Sequence, residues 1–395
     1  MEQFSANSLL DLDKSNQFKV KLIRQSGFSL VELMVGLVIG LLATMVIMQV
    51  YSAFEGQKRT TTGTADAQTT GSVALYSLQR EVQLAGYGLP LFDEQNSPLL
   101  CAAPPTVDHD NSAGTPNIRL DALDIIDGGV ASGASDIVVI RYGTSNSGGA
   151  PTCVTANGAV QPEYDVNSNM GCANGDVVMM ITGTNCFATT VDDTDLADTK
   201  KITLKASDLG VSRGVCGPGI TKLSCLGRWN EFTYQVDVAT SQLTRQAANE
   251  AAPSPIADGI VSIQAQYGIS ITPDNNQVIQ WVDPVGAWAS GAIGNTSANC
   301  DAGVANRNCI KAVRIAVVAR NGLREKDVVT TACSSIIDAN PTGICAWDAT
   351  SAVPTVVSPA PQIDLSNTAD WNHYRYSVYE TIIPLRNIIW ARGRL

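Results

Sequence analysis

The chain has 395 residues, a formal net charge of −11 and only 16% charged residues. That length holds a membrane segment plus one large or two small domains. The negative excess argues against general nucleic-acid binding, which needs basic surface, though it leaves room for a local basic groove. Sparse charge with abundant Gly, Ser, Thr, Asn and Ala is the composition of an extracytoplasmic, β-rich protein.

Four bases, Lys14, Lys19, Lys21 and Arg24, precede an apolar run from Phe28 to Phe54 whose one charge is Glu32. A secretory signal is cut after its apolar stretch, next to small residues. Here the fitting bond, Gly27–Phe28, lies before that stretch. Cutting there leaves the apolar segment as the new N-terminus. A carboxylate at membrane depth costs about 2.5–3.5 kcal/mol on insertion scales, so Glu32 calls for a reason. After cleavage it becomes the fifth residue, about one helical turn from a free amine on Phe28. The bland alternative is a single-pass anchor that tolerates one charge near its end.

The run exceeds the ~20 residues a membrane span needs. Bases before it outnumber those soon after it (Lys58, Arg59), which places the N-terminus in the cytoplasm and the C-terminal domain in the periplasm. Gly36 and Gly40 form a small-xxx-small pair on one face. They either admit a second helix closely or are glycines tolerated in lipid. No proline occurs from Phe28 to Leu89. Thr60–Thr64, with Gly63, weakens helix propensity locally. Leu75, Leu78, Val82 and Ala85 then recur at helical spacing, and Gly86-Tyr87-Gly88-Leu89-Pro90 ends the helix. The spacing predicts a helix over 28–85, first half in lipid or a filament core (28–54), second half (55–86) laid on a domain spanning 87–395.

From residue 118 the pattern changes to short strands between polar, glycine-rich loops. Expected strands are 118–126, 136–142, 176–182, 201–204, 231–238, 260–271, 278–282, 312–319 and 374–389. Pro384 demotes part of the last to an edge or a bulge. Thr233–Arg245 reads as a hairpin turning at Ala239-Thr240-Ser241-Gln242. Stretches 95–117, 143–172, 286–309 and 333–370 read as long surface loops.

All ten cysteines lie beyond residue 100: Cys101, Cys153, Cys172, Cys186, Cys216, Cys225, Cys300, Cys309, Cys333 and Cys345. An even number on one side of a membrane segment reads as disulfides. Sequence does not fix the connectivity; short-range pairs 216–225, 300–309 and 333–345 are the simplest guesses. Zinc sites favour C-x2-C pairs, and the sequence has none, so no metal and no cofactor are expected.

The N-terminal pattern resembles a type III signal, the processing site of type IV prepilins and pseudopilins. Later stretches narrow the resemblance. Leu78–Tyr87 (LQREVQLAGY), Ile260–Gly268 (IVSIQAQYG), Val313–Arg320 (VRIAVVAR) and Tyr374–Asn387 (YRYSVYETIIPLRN) are similar, in that order, to PilW-type minor pilins of type IV pili. The resemblance implies an α+β, pilin-like fold: a long N-terminal helix, first half transmembrane, packed on a C-terminal antiparallel β-sheet domain with long loops. It implies a leader at 1–27, cut between Gly27 and Phe28 by a prepilin peptidase, with N-methylation of Phe28. It implies that Glu32 pairs with a neighbour's N-terminal amine during assembly, in a membrane. Implied partners are other minor pilins, the major pilin, the assembly platform and a large tip adhesin. The implied role is priming pilus assembly at or near the tip. Glu32 argues against the tip-most position, where related systems often lack it. A type II secretion pseudopilin shares the signal, helix and glutamate, and a tip subunit that binds a surface or DNA through its loops is a further alternative. The long leader and the cysteine-bearing loops fall outside the resemblance.

Three motifs point elsewhere and are weaker. Gly210-Val211-Ser212-Arg213-Gly214 matches G-x-S-x-G, but Pro218 and a glycine-rich loop follow instead of the required helix. The two histidines, His109 and His373, have no recognisable partner motif, so no enzymatic activity is expected. Asp192, Asp193, Asp195 and Asp198 lack the glycine and bidentate glutamate of an EF-hand and read as a solvated loop. Trp281, Trp288, Trp347 and Trp371 read as core or loop anchors.

Overall fold

The computed structural model describes residues 27–89, 106–107, 118–129, 134–157, 163–182, 185–194, 198–205, 222–293, 300, 306–334, 339–340, 343–347, 363–366 and 368–389. A long N-terminal helix, Leu30–Leu84, is followed by an antiparallel β-rich domain. The chain divides into two compact units at Lys58/Arg59.

In the second unit the helix buries Ala67, Gly71, Ala74, Leu78 and Val82. Their spacing of three and four keeps them on one face. Leu78 and Val82 are fully enclosed, each worth about 1.5–3 kcal/mol against exposure. Small residues bring the backbone close to the sheet. A Cβ at Gly71 would lie 2.2 Å from Tyr379 Cε2, and one at Gly63 would lie 2.2 Å from Asn321 Oδ1. The helix runs unbroken through Thr60–Thr64, where the Thr64 hydroxyl donates to the Thr60 carbonyl at 2.8 Å. Packing outweighs the low local propensity there. Gly86, at φ +76°, then turns the chain out of the helix, a conformation that costs glycine little.

The helix packs against two antiparallel sheets. The C-terminal sheet orders its strands Gln280–Val282, Ile260–Ile269, Ile310–Arg320 and Tyr376–Pro384. Pro384 closes an edge strand, as its missing N–H requires. The 310–320 strand is buried on both faces. Val313, Ile315 and Val317 join the helix-side core, while Val318 packs outward on Ile363 and Leu365. The central sheet orders Ser254–Asp258, Gln242–Ala247, Trp229–Asp237, Ile137–Gly143 and Leu123–Ile126. The expected hairpin forms at 229–247, with Asp237 accepting from the Ala239 N–H at 3.0 Å and the Thr240 hydroxyl at 2.7 Å.

The stretch between the neighbouring strands 137–143 and 229–237 is the main departure from expectation. Part of it, 143–172, reads from sequence as a loop. It holds Pro151–Asn157 and Glu163–Val166, which join Val177–Thr182, Asn185–Asp193, Lys201–Leu204 and Lys222–Gly227 in a closed six-stranded barrel. The barrel has a core of its own, including Val154, Tyr164, Val178, Ile202, Leu204 and Leu223. Its strands near 177–182 and 201–204 are expected from sequence, but 151–157 and 163–166 carry few apolar residues and conceal the closure. It is a module inserted into one β-hairpin. The root of the insertion lies against the helix end: the Gly143 N–H donates to the Tyr87 carbonyl at 2.7 Å and the Ser145 N–H to the Leu226 carbonyl at 3.0 Å.

Asp136 ties the central sheet to the C-terminal sheet. Its own N–H donates to the Ile263 carbonyl at 2.9 Å. Its carboxylate accepts from the Gly128 N–H at 3.1 Å and the Ala265 N–H at 2.8 Å. Burial pushes its pKa up to about 7 against the pull of those two donors, and the charges of Asp127 and Asp283 add to the rise. Within the central sheet, Arg141 pairs with Asp121 at 2.7 Å and with Glu231.

Two outcomes test these contacts in the chain from residue 59 onward. Gly71→Leu forces the helix off Tyr379 and lowers stability by about 1–3 kcal/mol, as overpacking does; an unchanged urea midpoint would refute the close approach. The native fold holds a proton on Asp136 that the unfolded chain releases between about pH 4 and 7. Its contribution to stability therefore falls as pH rises through that window and is flat above it. The stability gap between the protein and Asp136→Asn accordingly narrows from pH 4 to 7 in parallel melts, and a constant gap contradicts the assignment.

Candidate assembly segment

Residues 27–58 of the first unit carry the sequence-predicted site. Gly27, Phe28 and Ser29 precede the helix and are exposed. The Ser29 carbonyl accepts the first helical bond, from Leu33 N–H at 3.1 Å. Glu32 is the acid of the first turn, where a carboxylate meets the positive end of the helix dipole. Gly36 and Gly40 follow, four apart on one face.

An apolar stretch of this unit has mean hydropathy 2.5 with none of it buried, and its helix is long and apolar enough to cross a membrane. Phe28 is 82% exposed. At about 25 cal/mol per Å² such surface settles only in lipid or against other apolar helices. A Cβ added at Gly27, Gly36 or Gly40 meets nothing within 4 Å. The fold thus makes no demand for glycine at these three positions. Gly63 and Gly71 differ, since a Cβ there would collide with the sheet.

Two disulfides have both partners described. Cys300 and Cys309 form the expected pair, while Cys225 bonds Cys172 with Cα atoms 5.3 Å apart. The guessed 216–225 pair is therefore corrected. The barrel brings the loop after its second strand beside its last strand, a proximity that sequence distance hides. Cys153 and Cys345 are disulfide-bonded as well. No cysteine is free among the described residues. Cys101 and Cys216 lie outside the described residues, as do the side chains of Cys186 and Cys333.

The weaker motifs do not converge. His109 and Gly210–Gly214 lie outside the described residues. His373 sits in a short 3-10 turn with Nδ1 3.1 Å from the Glu325 carbonyl. Asp192 and Asp193 end a barrel strand and point to solvent, and Asp195 lies outside the described residues. Among the described residues no group of three or more His, Cys, Asp or Glu could hold a metal. Trp281 and Trp347 flank the buried Arg314 guanidinium, with ring centroids at 5.1 and 4.6 Å. Trp288 is buried, and Trp371 packs against the outer cluster of the C-terminal sheet.

Residues 22–48 match the prokaryotic N-terminal methylation motif. A chain with that motif on a long apolar helix ahead of an antiparallel β domain is a type IV pilin-like protein. Residues 233–387 match the family described as Type IV Pilus-assembly protein W. The barrel precedes that match. Among solved structures, a type IV-like pilin from Thermus thermophilus aligns at 11% identity and TM-score 0.30, covering 82% of this chain and 97% of that one. An overlap that loose carries no argument. Among curated proteins nothing matches.

The Gly63–Gly71 docking stripe is what sequence reasoning missed. Its signal was present, since Gly63, Ala67, Gly71 and Ala74 recur at spacings of four, four and three. A stripe of small residues on one helix face marks close approach.

Proposed function

We propose that the chain is a minor pilin of PilW type that helps start type IV pilus assembly and sits at or near the filament tip. It is made as a precursor whose leader is residues 1–27. A prepilin peptidase cuts between Gly27 and Phe28, and the new Phe28 amine is methylated. Before assembly the helix half 28–54 spans the inner membrane with its N-terminus cytoplasmic, and residues 55–86 carry the domain 87–395 on the periplasmic side. The partners are other minor pilins, the major pilin, the assembly platform and a large tip adhesin.

The coincidence of the methylation motif at 22–48 with an exposed apolar stretch of helix carries this reading. The absence of any internal use for glycine at 27 supports it, because the demand for glycine then comes from a processing enzyme. Glu32 supports it too. A carboxylate one turn into the helix offers a partner for a neighbour's amine in a medium where unpaired charge is expensive.

Gly27→Leu blocks processing, so the protein stays 27 residues longer in the membrane fraction; a normally shortened product by mass spectrometry would refute the cleavage site. Glu32→Ala is cleaved normally, because the carboxylate lies beyond the scissile bond, but docks poorly. Since the subunit primes assembly, cells then show fewer pili rather than weaker ones. Normal pilus counts by electron microscopy, with expression and processing verified, would sink the role given to Glu32.

A further inference from the structure

The open edges of the two main sheets are treated differently. The Ser254–Asp258 edge is short, contains Pro255 and faces a register shift at Leu243/Thr244. The Gln280–Val282 edge has three residues. The Leu123–Ile126 edge has four, and the Ile125 N–H is taken by the Tyr267 hydroxyl at 2.6 Å. These are ordinary devices that stop a sheet edge from recruiting another chain. The Tyr376–Pro384 edge lacks them. It runs nine residues, pairs with 310–320 without a register shift, and holds its one proline at the last position. Among the described residues its main chain bonds only to the 310–320 strand. Its outer face is covered at Tyr376 and Val378 by the cluster around Ile363 and Leu365. Beyond them Glu380, Ile382 and Pro384 are exposed, Ile382 by 56%.

We infer that the 376–384 edge is a docking site for an extended strand of another protein subunit, which joins the C-terminal sheet by main-chain hydrogen bonds. The chemistry follows from the edge itself. Unpaired N–H and C=O groups select an extended backbone, and alternate side chains add specificity. An incoming strand places an apolar residue over Ile382. The source of the strand, a neighbouring subunit of the same assembly, rests on the minor-pilin reading above. A second copy of this chain fits poorly. Antiparallel pairing through the same edge is related by a two-fold axis normal to the sheet. That axis reverses the helix lying on the sheet, so the two residue-59 ends point in opposite directions. Two chains anchored in one membrane have them pointing the same way.

A photo-crosslinking residue at Ile382 in the full chain, expressed in cells that build the pilus, tests this. The control is the same residue at Val238, which is 54% exposed at the hairpin turn of the central sheet. The expected product joins position 382, and not 238, to a peptide from another pilin-type subunit. Glu380→Pro and Thr381→Pro then probe the main chain. Successive residues of a strand direct their N–H groups to opposite sides, so one of the two faces away from 310–320. That variant keeps its melting temperature and loses the crosslink. Should both prolines unfold the chain, the crosslink alone decides. No product at 382, equal product at 238, or a product with a second copy of this chain each overturns the inference. Normal pilus loss in Glu32→Ala cells alongside a missing crosslink removes the docking edge and leaves the minor-pilin reading standing.

Discussion

The second unit depends on how closely one helix can approach one sheet. Gly63 and Gly71 set that distance, with Asn321 and Tyr379 standing where their side chains would be. Ala67 and Ala74 continue the small stripe, and Leu78 and Val82 fill the space that opens toward the helix end. Interiors are packed densely enough that one added methylene is felt. The two-sided burial of the 310–320 strand follows from this closeness, because the helix covers one face and the 363–365 segment covers the other.

The barrel is placed by the same region. Its entry and exit strands are neighbours in the central sheet, so it hangs from a hairpin rather than from a long tether. The Tyr87 carbonyl, just past the helix, takes a hydrogen bond from Gly143 at the barrel's root. The chain at that crossing is nearly bare of side chains. A Cβ at Gly143 would lie 2.1 Å from the Leu226 carbonyl oxygen, and one at Gly149 would lie 2.0 Å from that of Gly88. The disulfide from Cys172 to Cys225 fastens a barrel loop to the strand that returns to this root. A second hydrophobic core is thereby carried beside the first, to which the barrel strands also lend Val177, Met179 and Leu226.

Helix residues before 59 obey a different logic. Their apolar side chains have no covering inside the described chain, and their glycines have no internal reason. What stabilises this unit lies outside it, in lipid or in other helices. The same division explains the two glycine pairs. Gly63 and Gly71 are explained by the sheet they touch, whereas a Cβ at Gly36 or Gly40 meets nothing within 4 Å.

Residues local in sequence were legible without coordinates. The apolar run, its single glutamate and the proline-free stretch to Leu89 define the helix, because helix periodicity and membrane length are short-range properties. The strands at 137–143, 201–204, 260–269 and 310–320 were legible for a similar reason: each is a compact apolar run between turn residues. The hairpin at 229–247 announced itself through its turn at Ala239-Thr240-Ser241-Gln242. The closed barrel was not legible. Its 151–157 and 163–166 strands carry few apolar residues, and closure depends on the Lys222–Gly227 strand meeting both Pro151–Asn157 and Val177–Thr182. The Cys172–Cys225 bond was hidden because it follows from that closure. Sequence alone determined that this chain places an apolar, glutamate-bearing helix ahead of a disulfide-bonded β domain. Only the tertiary structure decided which strands are neighbours, which glycines carry the helix onto the sheet and which edge stays open. Those depend on contacts between residues far apart in the chain, which no local pattern encodes.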